Sequence, residues 1–350
     1  MKKILALIFN LTIGVILSSV VGGGAFAALS IGGALSLMPK MHDGLGMAIQ
    51  KEIWMNSIVE GLFADNTFLS KAFNADEFVN QGKTVHIPNA GVPSNVVKNR
   101  SEFPATVNQR TDIDLTFNLD NYSTDPIKID LAETVELSYN KRESVLRQDK
   151  MALHNTISEG VLYEWFPAIA NAIRTTGDAV PAHTDGATGD RKAFTKNDVK
   201  AAMTKFNKQN IPAEGRYLLV DADMYDQLIG SMTTQEAMAF HAQVDVANGI
   251  VGKLYGFNIM MRSRVGLYTT SGTKKLWTTA GAATDNAAAL AWHTNSVCRA
   301  LGEVVARESI NDPLYYGDIY SFEVRCGGRP MRDKVEGLLA IVQDVAAATP

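Results

Sequence analysis

The sequence predicts an α+β fold, and three features predict it. Apolar residues recur every fourth position at Leu153, Ile157, Val161 and Trp165, a spacing that puts them on one side of a helix. Residues 111–120 alternate strictly, with Ile113, Leu115, Phe117 and Leu119 set between polar neighbours, the period of a strand with one apolar face. Helical and strand patterns then mix with no βαβ repeat and no internal repeat, which favours α+β over a parallel α/β fold.

The composition bounds the rest. Of 350 residues, 46% are hydrophobic, 20% charged and 8% aromatic, enough for a sizeable core and unlike a disordered chain. The length supplies one large domain or two to three small ones. With 33 basic and 37 acidic residues the net charge is −4. That argues against a dedicated nucleic-acid-binding domain, which is usually strongly basic, but leaves contact with DNA through a local patch open. Cys298 and Cys326 form neither a CxxC nor a finger spacing. Cys298 lies in an apolar run that reads as helical, and is expected as a small buried hydrophobe.

Taken in order, the chain begins with residues 4–38, which carry no charge. They are long enough to span a bilayer, which needs about 20 apolar residues. Lys2 and Lys3, the apolar core and Ala25-Phe26-Ala27 also compose a secretory signal with an A-x-A cleavage site. Gly22, Gly23 and Gly24, then Gly32 and Gly33, interrupt the run, so membrane association and export both stand open. Residues 41–73 are amphipathic at helical spacing, with Trp54 a candidate anchor against a neighbour. After a breaker region at 74–82, residues 83–88 form a strand that pairs with 111–120 in a long hairpin with a loose tip. A two-stranded hairpin alone is marginal in water, so its apolar face needs cover from its own domain or from another subunit.

The next element is the long helix, expected from about Ser138 to Phe166 within the amphipathic stretch 131–166 and ended by Pro167. It would be about 40 Å long at 1.5 Å per residue, longer than usual in a compact domain, and reads as a strut. His154 falls on its charged edge and is expected to be solvated. Residues 177–191 read as an exposed loop. Thr195 and Asp198 form a capping-box-like start to a helix over 195–207. A strand at 217–220 precedes a short helix over 224–229, capped by Asp223. Residues 233–246 fit helix or loop, and 249–256 a turn-rich connector. Strands are expected at 257–261, 275–278 and 315–325. Residues 287–299, 303–307 and 336–345 fit helix or strand.

No stretch meets the spacing demands of a common enzyme site, so no catalytic, cofactor-binding or metal residue is assigned. Gly82-Lys83-Thr84 looks like the end of a P-loop, but Glu77 stands where a glycine is required and a strand follows where a helix is needed. Gly249, Gly252 and Gly256 precede a strand, whereas the dinucleotide fingerprint follows one. Asp221 and Asp223 hint at a calcium loop, but the next ligand position is Tyr225, and helix capping is the better reading. The six histidines show neither HxxxH nor HExxH.

The order of these parts resembles the major capsid protein of tailed bacteriophages, the Hong-Kong-ninety-seven type shell fold. The resemblance rests on an N-terminal arm, a long two-stranded loop, a spine helix, the run Gly215-Arg216-Tyr217-Leu218-Leu219-Val220-Asp221-Ala222-Asp223-Met224-Tyr225, and the glycine turn from Gly249 to Gly256 leading into Phe257-Asn258-Ile259. It covers roughly residues 41–345. It implies an arm at 41–81, after the separate apolar N-terminal segment at 1–40, and an extended hairpin at 82–125 lying over a neighbouring subunit through Ile113, Leu115, Phe117 and Leu119. It further implies a spine helix and peripheral domain at 126–211, an axial domain at 212–300 and a return to the peripheral domain at 301–350. The implied partners are copies of the chain as hexamers and pentamers, portal and scaffold or protease proteins, and packaged DNA held without sequence specificity. The implied place is the virion, assembled in the host cytoplasm. The apolar residues 4–38 depart from the family pattern and leave membrane contact open. A cellular nanocompartment shell of the same fold and an exported or membrane-anchored surface protein are the competing readings.

Overall fold

The computed structural model describes residues 66–80, 83–89, 96–101, 103, 104, 107, 113–130, 141–332 and 335–346, with Ile58 and Leu62. Residues 59–350 make up one compact unit, to which everything below belongs. The apolar segment 4–38 and all but the end of the expected 41–73 helix lie outside the described residues. At that end, Thr67–Lys71 is a 3-10 turn with Phe68 and Leu69 buried.

Strands β1 (Phe73–Asn74), β2 (Val79–Asn80), β3 (Thr84–Asn89) and β4 (Ile113–Asn118) follow. The expected hairpin is present: β3 and β4 pair antiparallel from Thr84 opposite Asn118 to Asn89 opposite Ile113, and β2 extends the sheet. Strands β5 (Asp120–Ser123) and β6 (Ile127–Asp130) come next, then helix α1 (Lys141–Trp165). Its 25 residues give about 37 Å. Residues 131–140 lie outside the described residues. The apolar stripe is buried as its spacing requires, but the buried arc is wider than the stripe. His154 and Ser158, one turn apart, are also buried. The expectation of a solvated His154 is therefore corrected: it faces packed structure.

Past Pro167, strands β7 (Ala172–Arg174), β8 (Ala179–Pro181) and β9 (Asp190–Lys192) lead to helix α2 (Lys196–Lys208), with the Thr195–Asp198 capping box in place. The expected exposed loop at 177–191 thus contains a short hairpin, β8 against β9. Strand β10 (Arg216–Val220) runs into helix α3 (Ala222–Gly230), and helix α4 (Thr234–His241) follows. The N-cap of α3 is Asp221, not Asp223: its Oδ1 accepts from the Met224 N–H at 2.6 Å. The expected connector at 249–256 is largely strand β11 (Ile250–Leu254), turned tightly into β12 (Phe257–Met261). Tyr255 and Gly256 both have positive φ, 48° and 82°, as a two-residue hairpin turn of the primed kind demands.

Strands β13 (Gly266–Tyr268), β14 (Lys274–Lys275), β15 (Asn286–His293), β16 (Val297–Asp312), β17 (Gly317–Pro330) and β18 (Leu338–Val342) complete the chain. The strand expected at 275–278 ends at Lys275, and the three stretches that fit helix or strand are all strand. Cys298 is fully buried as expected, but on a strand rather than a helix.

Two main sheets result. The larger runs β11-β12-β10-β15-β13-β14, with β18 beside β15 and β7 beside β18. Its core joins Leu218, Val220, Phe257, Ile259 and the alanines of β15 to Phe206 of α2 and Met224 and Leu228 of α3. Phe206 meets Phe257 edge to face at 5.2 Å. The second sheet is built on the long β16–β17 hairpin, with β1, β5 and β6 at its margins.

Candidate assembly surfaces

The face of the hairpin that was expected under a neighbouring subunit is covered within the chain. Phe117 and Leu119 are 8% and 9% exposed, packed with Val85 and Ile87 of β3 and with Cys298 and Ala300 of β16. The Arg329 guanidinium lies over the Phe117 ring at 5.7 Å. Leu115 packs half-buried at the margin of this cluster, and the side chain of Ile113 lies outside the described residues. The physical reason is the parallel pairing of β1 with β16, which draws the base of the hairpin onto the second sheet. Toward the tip, Val96, Phe103 and Val107 are exposed.

The four spine residues Leu153, Ile157, Val161 and Trp165 are all buried, and the last is a junction. Trp165 Nε1 donates to Cys298 O of β16 at 2.9 Å. Its ring meets Phe68 edge-on at 5.9 Å and Trp292 of β15 at 5.9 Å, and Trp292 stacks on Tyr217 of β10 at 5.7 Å. Beside it, Glu164 accepts Arg329 of β17 at 2.7 Å and stands 3.9 Å from Lys274 of β14. The end of α1 thereby touches both sheets. The sequence pointed to Trp165 as an apolar stripe residue; its partners Phe68, Trp292 and Cys298 lie 97 or more residues away and carry no local signal.

Two further surfaces carried no expectation. Helix α4 and the segment to Asn248 are almost wholly exposed, Met238 and Val246 included. Phe240 is the buried anchor of α4, its ring lying where a Cβ on Gly252 would be, and Lys71 Nζ donates to Asn248 Oδ1 at 2.6 Å. A capping box between Thr233 and Glu236 opens α4, and Lys196 of α2 pairs with Glu236 at 2.7 Å. Lys196 first, then the Thr233 backbone, holds the Glu236 carboxyl down to about 2. At the turn of the β16–β17 hairpin, Leu314, Tyr315 and Tyr316 stand out into solvent. The signal for this turn was Asp312-Pro313 ahead of Gly317.

One cluster of chemically capable side chains joins the loop between β8 and β9 to α3. His183 Nε2 lies 3.1 Å from Asp221 Oδ2, and Asp223 is close by, the three offering ligand atoms within 4.8 Å of one another. Asp221 commits one oxygen to the helix N-terminus and the other to His183, so the cluster reads as a cap that staples the loop. Burial alone would lower the His183 pKa; the Asp221 hydrogen bond and the charges of Asp221 and Asp223 outweigh it and raise the value.

No family model matches this chain, and no curated protein matches it. Solved structures do. The capsid of cyanophage P-SCSP1u superposes with a TM-score of 0.55 at 17% identity, over 79% of this chain and 87% of that one. A structure from Mycobacterium phage Che8 gives 0.54 at 17% identity, over 78% and 90%. The capsid of Ralstonia phage GP4 gives 0.54 at 12% identity, over 77% and 86%. The chain has the fold of phage capsid subunits.

Proposed function

We propose that this chain, with the fold of phage capsid subunits, is the major capsid protein of a tailed phage or prophage. It would self-assemble as hexamers and pentamers into an icosahedral shell that encloses double-stranded DNA. The observation that carries the reading is the extent of the likeness: most of this chain superposes on most of a capsid subunit, not on a shared fragment. Most of the exposed large apolar residues among the described residues support it, because they gather at extremities: the tip of the β3–β4 hairpin, the α4 excursion and the turn of the β16–β17 hairpin. Exposed apolar groups grouped in this way mark contacts with other macromolecules. In this reading residues 82–125 reach a neighbouring copy through the tip rather than through Phe117, residues 126–211 and 301–350 form the peripheral domain, and 212–300 face the symmetry axes. The mild negative charge suits a container that holds DNA without gripping it, since phosphate neutralised by clustered Lys and Arg binds tightly.

The test is electron microscopy of the expressed protein, with and without a scaffold partner, alongside light scattering. Closed shells or rings are the expected result. A 38.0 kDa monomer at high concentration under both conditions would overturn the proposal.

A further inference from the structure

The tip of the β16–β17 hairpin and a groove beside helix α1 are complementary in chemistry. At the tip, Leu314, Tyr315 and Tyr316 are 82%, 55% and 81% exposed, three large side chains in a row. Their backbone is pinned. The Tyr316 N–H donates to Asp312 O at 2.8 Å, the Leu314 N–H to Asp312 Oδ1 at 2.9 Å, and Ser309 Oγ to Asp312 Oδ2 at 3.1 Å. Pro313 fixes one further dihedral. Tyr316 sits at φ 55°, a left-handed conformation that costs free energy for a bulky residue and persists only where its surroundings hold it. A rigid turn that holds aromatic groups out in water has already lost the entropy that docking would cost. Tyrosine is also enriched among the residues that dominate interfaces.

The groove is an open cavity of 340 Å³ between α1 and the β5–β6 segment, lined by Tyr122, Thr124, Ile127, Asp149, Leu153 and Thr156 among others. Its volume is in the range of about 300–1,000 Å³ found for ligand pockets. Tyr122, Ile127 and Leu153 give it apolar walls. Asp149, Thr124 and Thr156 give it oxygen atoms that can accept a phenol O–H, and burial pushes the Asp149 carboxyl up, so a new donor there would be welcome. The groove also lies close to the tip on the same molecule. Ile127 pairs with Tyr320 and Asp130 with Gly317, so the groove begins about 10 Å down the hairpin at about 3.3 Å per residue. A pinned turn at the end of its own strands cannot fold back over that distance, so a tip seated in this groove comes from another copy.

We propose that residues 314–316 of one copy seat in the Tyr122–Leu153 groove of a neighbouring copy. The contact is head-to-tail, each copy giving a tip and receiving one, and such contacts form rings where the rotation between copies closes, as it does in a shell of hexamers and pentamers. It rests on the shell reading above, which supplies the neighbour.

The test places Leu314→Cys and Ala152→Cys in one full-length chain, which is assembled and mildly oxidised. Ala152 is exposed in the groove, and the native Cys298 and Cys326 are buried. A ladder of covalently linked chains on a non-reducing denaturing gel, absent from either single variant, is the expected result. Assembled shells with no ladder overturn the contact and leave the shell reading standing. A ladder from Val97→Cys with Ala152→Cys, in place of the Leu314 pair, gives the groove to the 90–112 loop and also overturns it. A wild-type chain that never assembles removes the shell reading and the contact together. A second variant, Tyr315→Ser, should leave the melting temperature of the unassembled chain unchanged and raise the concentration needed for assembly about tenfold, ~1.4 kcal/mol. An unchanged assembly threshold counts against the anchor.

Discussion

Gly328 is one place where helix α1 closely approaches the second sheet. A Cβ there would stand 2.6 Å from Trp165 Nε1 and 2.7 Å from Cys298 O, the two ends of the bond that seats the indole. Gly328→Ala should therefore lower stability by about 1–3 kcal/mol, the range for overpacking a core. Urea denaturation of the unassembled chain reads this directly, and an unchanged midpoint would refute the close approach. At His183 the sign of the pH effect follows from its partners. Folding raises its pKa above the ordinary value of about 6.5, because Asp221 and Asp223 favour the charged ring more than burial disfavours it. The stabilisation is fully present below about pH 6.5 and is lost as pH rises through the higher folded-state value. His183→Asn should remove that declining part of the stability profile. A wild-type-to-variant difference that stays constant from pH 6 to 9 would show that the staple does not titrate.

Among the elements, the β3–β4 hairpin stands or falls with its own chain. Phe117→Asp removes a buried ring, worth about 3–5 kcal/mol in a core, and leaves a carboxylate against Cys298 and Ala300. The expected outcome is a lower thermal midpoint for the unassembled chain. A variant that melts normally yet fails to assemble would return this face to a neighbouring subunit. Phe240 is the buried side chain of helix α4, so Phe240→Ala should speed amide exchange across Thr234–His241 while β10 and β15 stay protected. Equal protection in both proteins would mean that other contacts hold α4. These elements also show what the sequence could and could not convey. The alternation at 113–119, the fourfold spacing at 153–165 and the Thr195 capping box each carry their structure locally, and each was legible. Strand β15 was not: it reads Asn-Ala-Ala-Ala-Leu-Ala-Trp-His and is buried at every position, so it shows no alternation, and alanine favours helix. The cover over Phe117 was equally hidden, because Cys298 and Ala300 lie some 180 residues further on. The exposed tip was misplaced: Tyr315 and Tyr316 were expected to open a strand over 315–325, but the strand starts at Gly317 and they stand in the turn.

For the molecule as a whole, the apolar residues 4–38 bear directly on the shell reading. Among the described residues no helix is long and apolar enough to cross a membrane, and this segment lies outside them. An uncharged run of this length is unfavourable in water and has to be covered or removed. In a shell subunit it should act within assembly, with any cleavage occurring there. Intact-mass measurement of purified particles and fractionation of expressing cells test this. A periplasmic product beginning at Ala28 would contradict the capsid reading and favour the surface-protein one.

Strand β18 has a consequence for the newborn chain. Leu338–Val342 fills the place between β15 and β7, antiparallel to the first and parallel to the second, and all five of its residues are buried. Until those residues leave the ribosome, β15 and β7 have a gap between them, and the core around Leu339 and Ile341 is open. Partly synthesised chains thus lack a finished larger sheet, and many copies made together on one message are exposed to mispairing through that gap. The late strand ties completion of the sheet to synthesis of residues 338–342. If the chain builds the shell proposed above, a growing copy would not present a finished larger sheet to its neighbours while it is still attached to the ribosome.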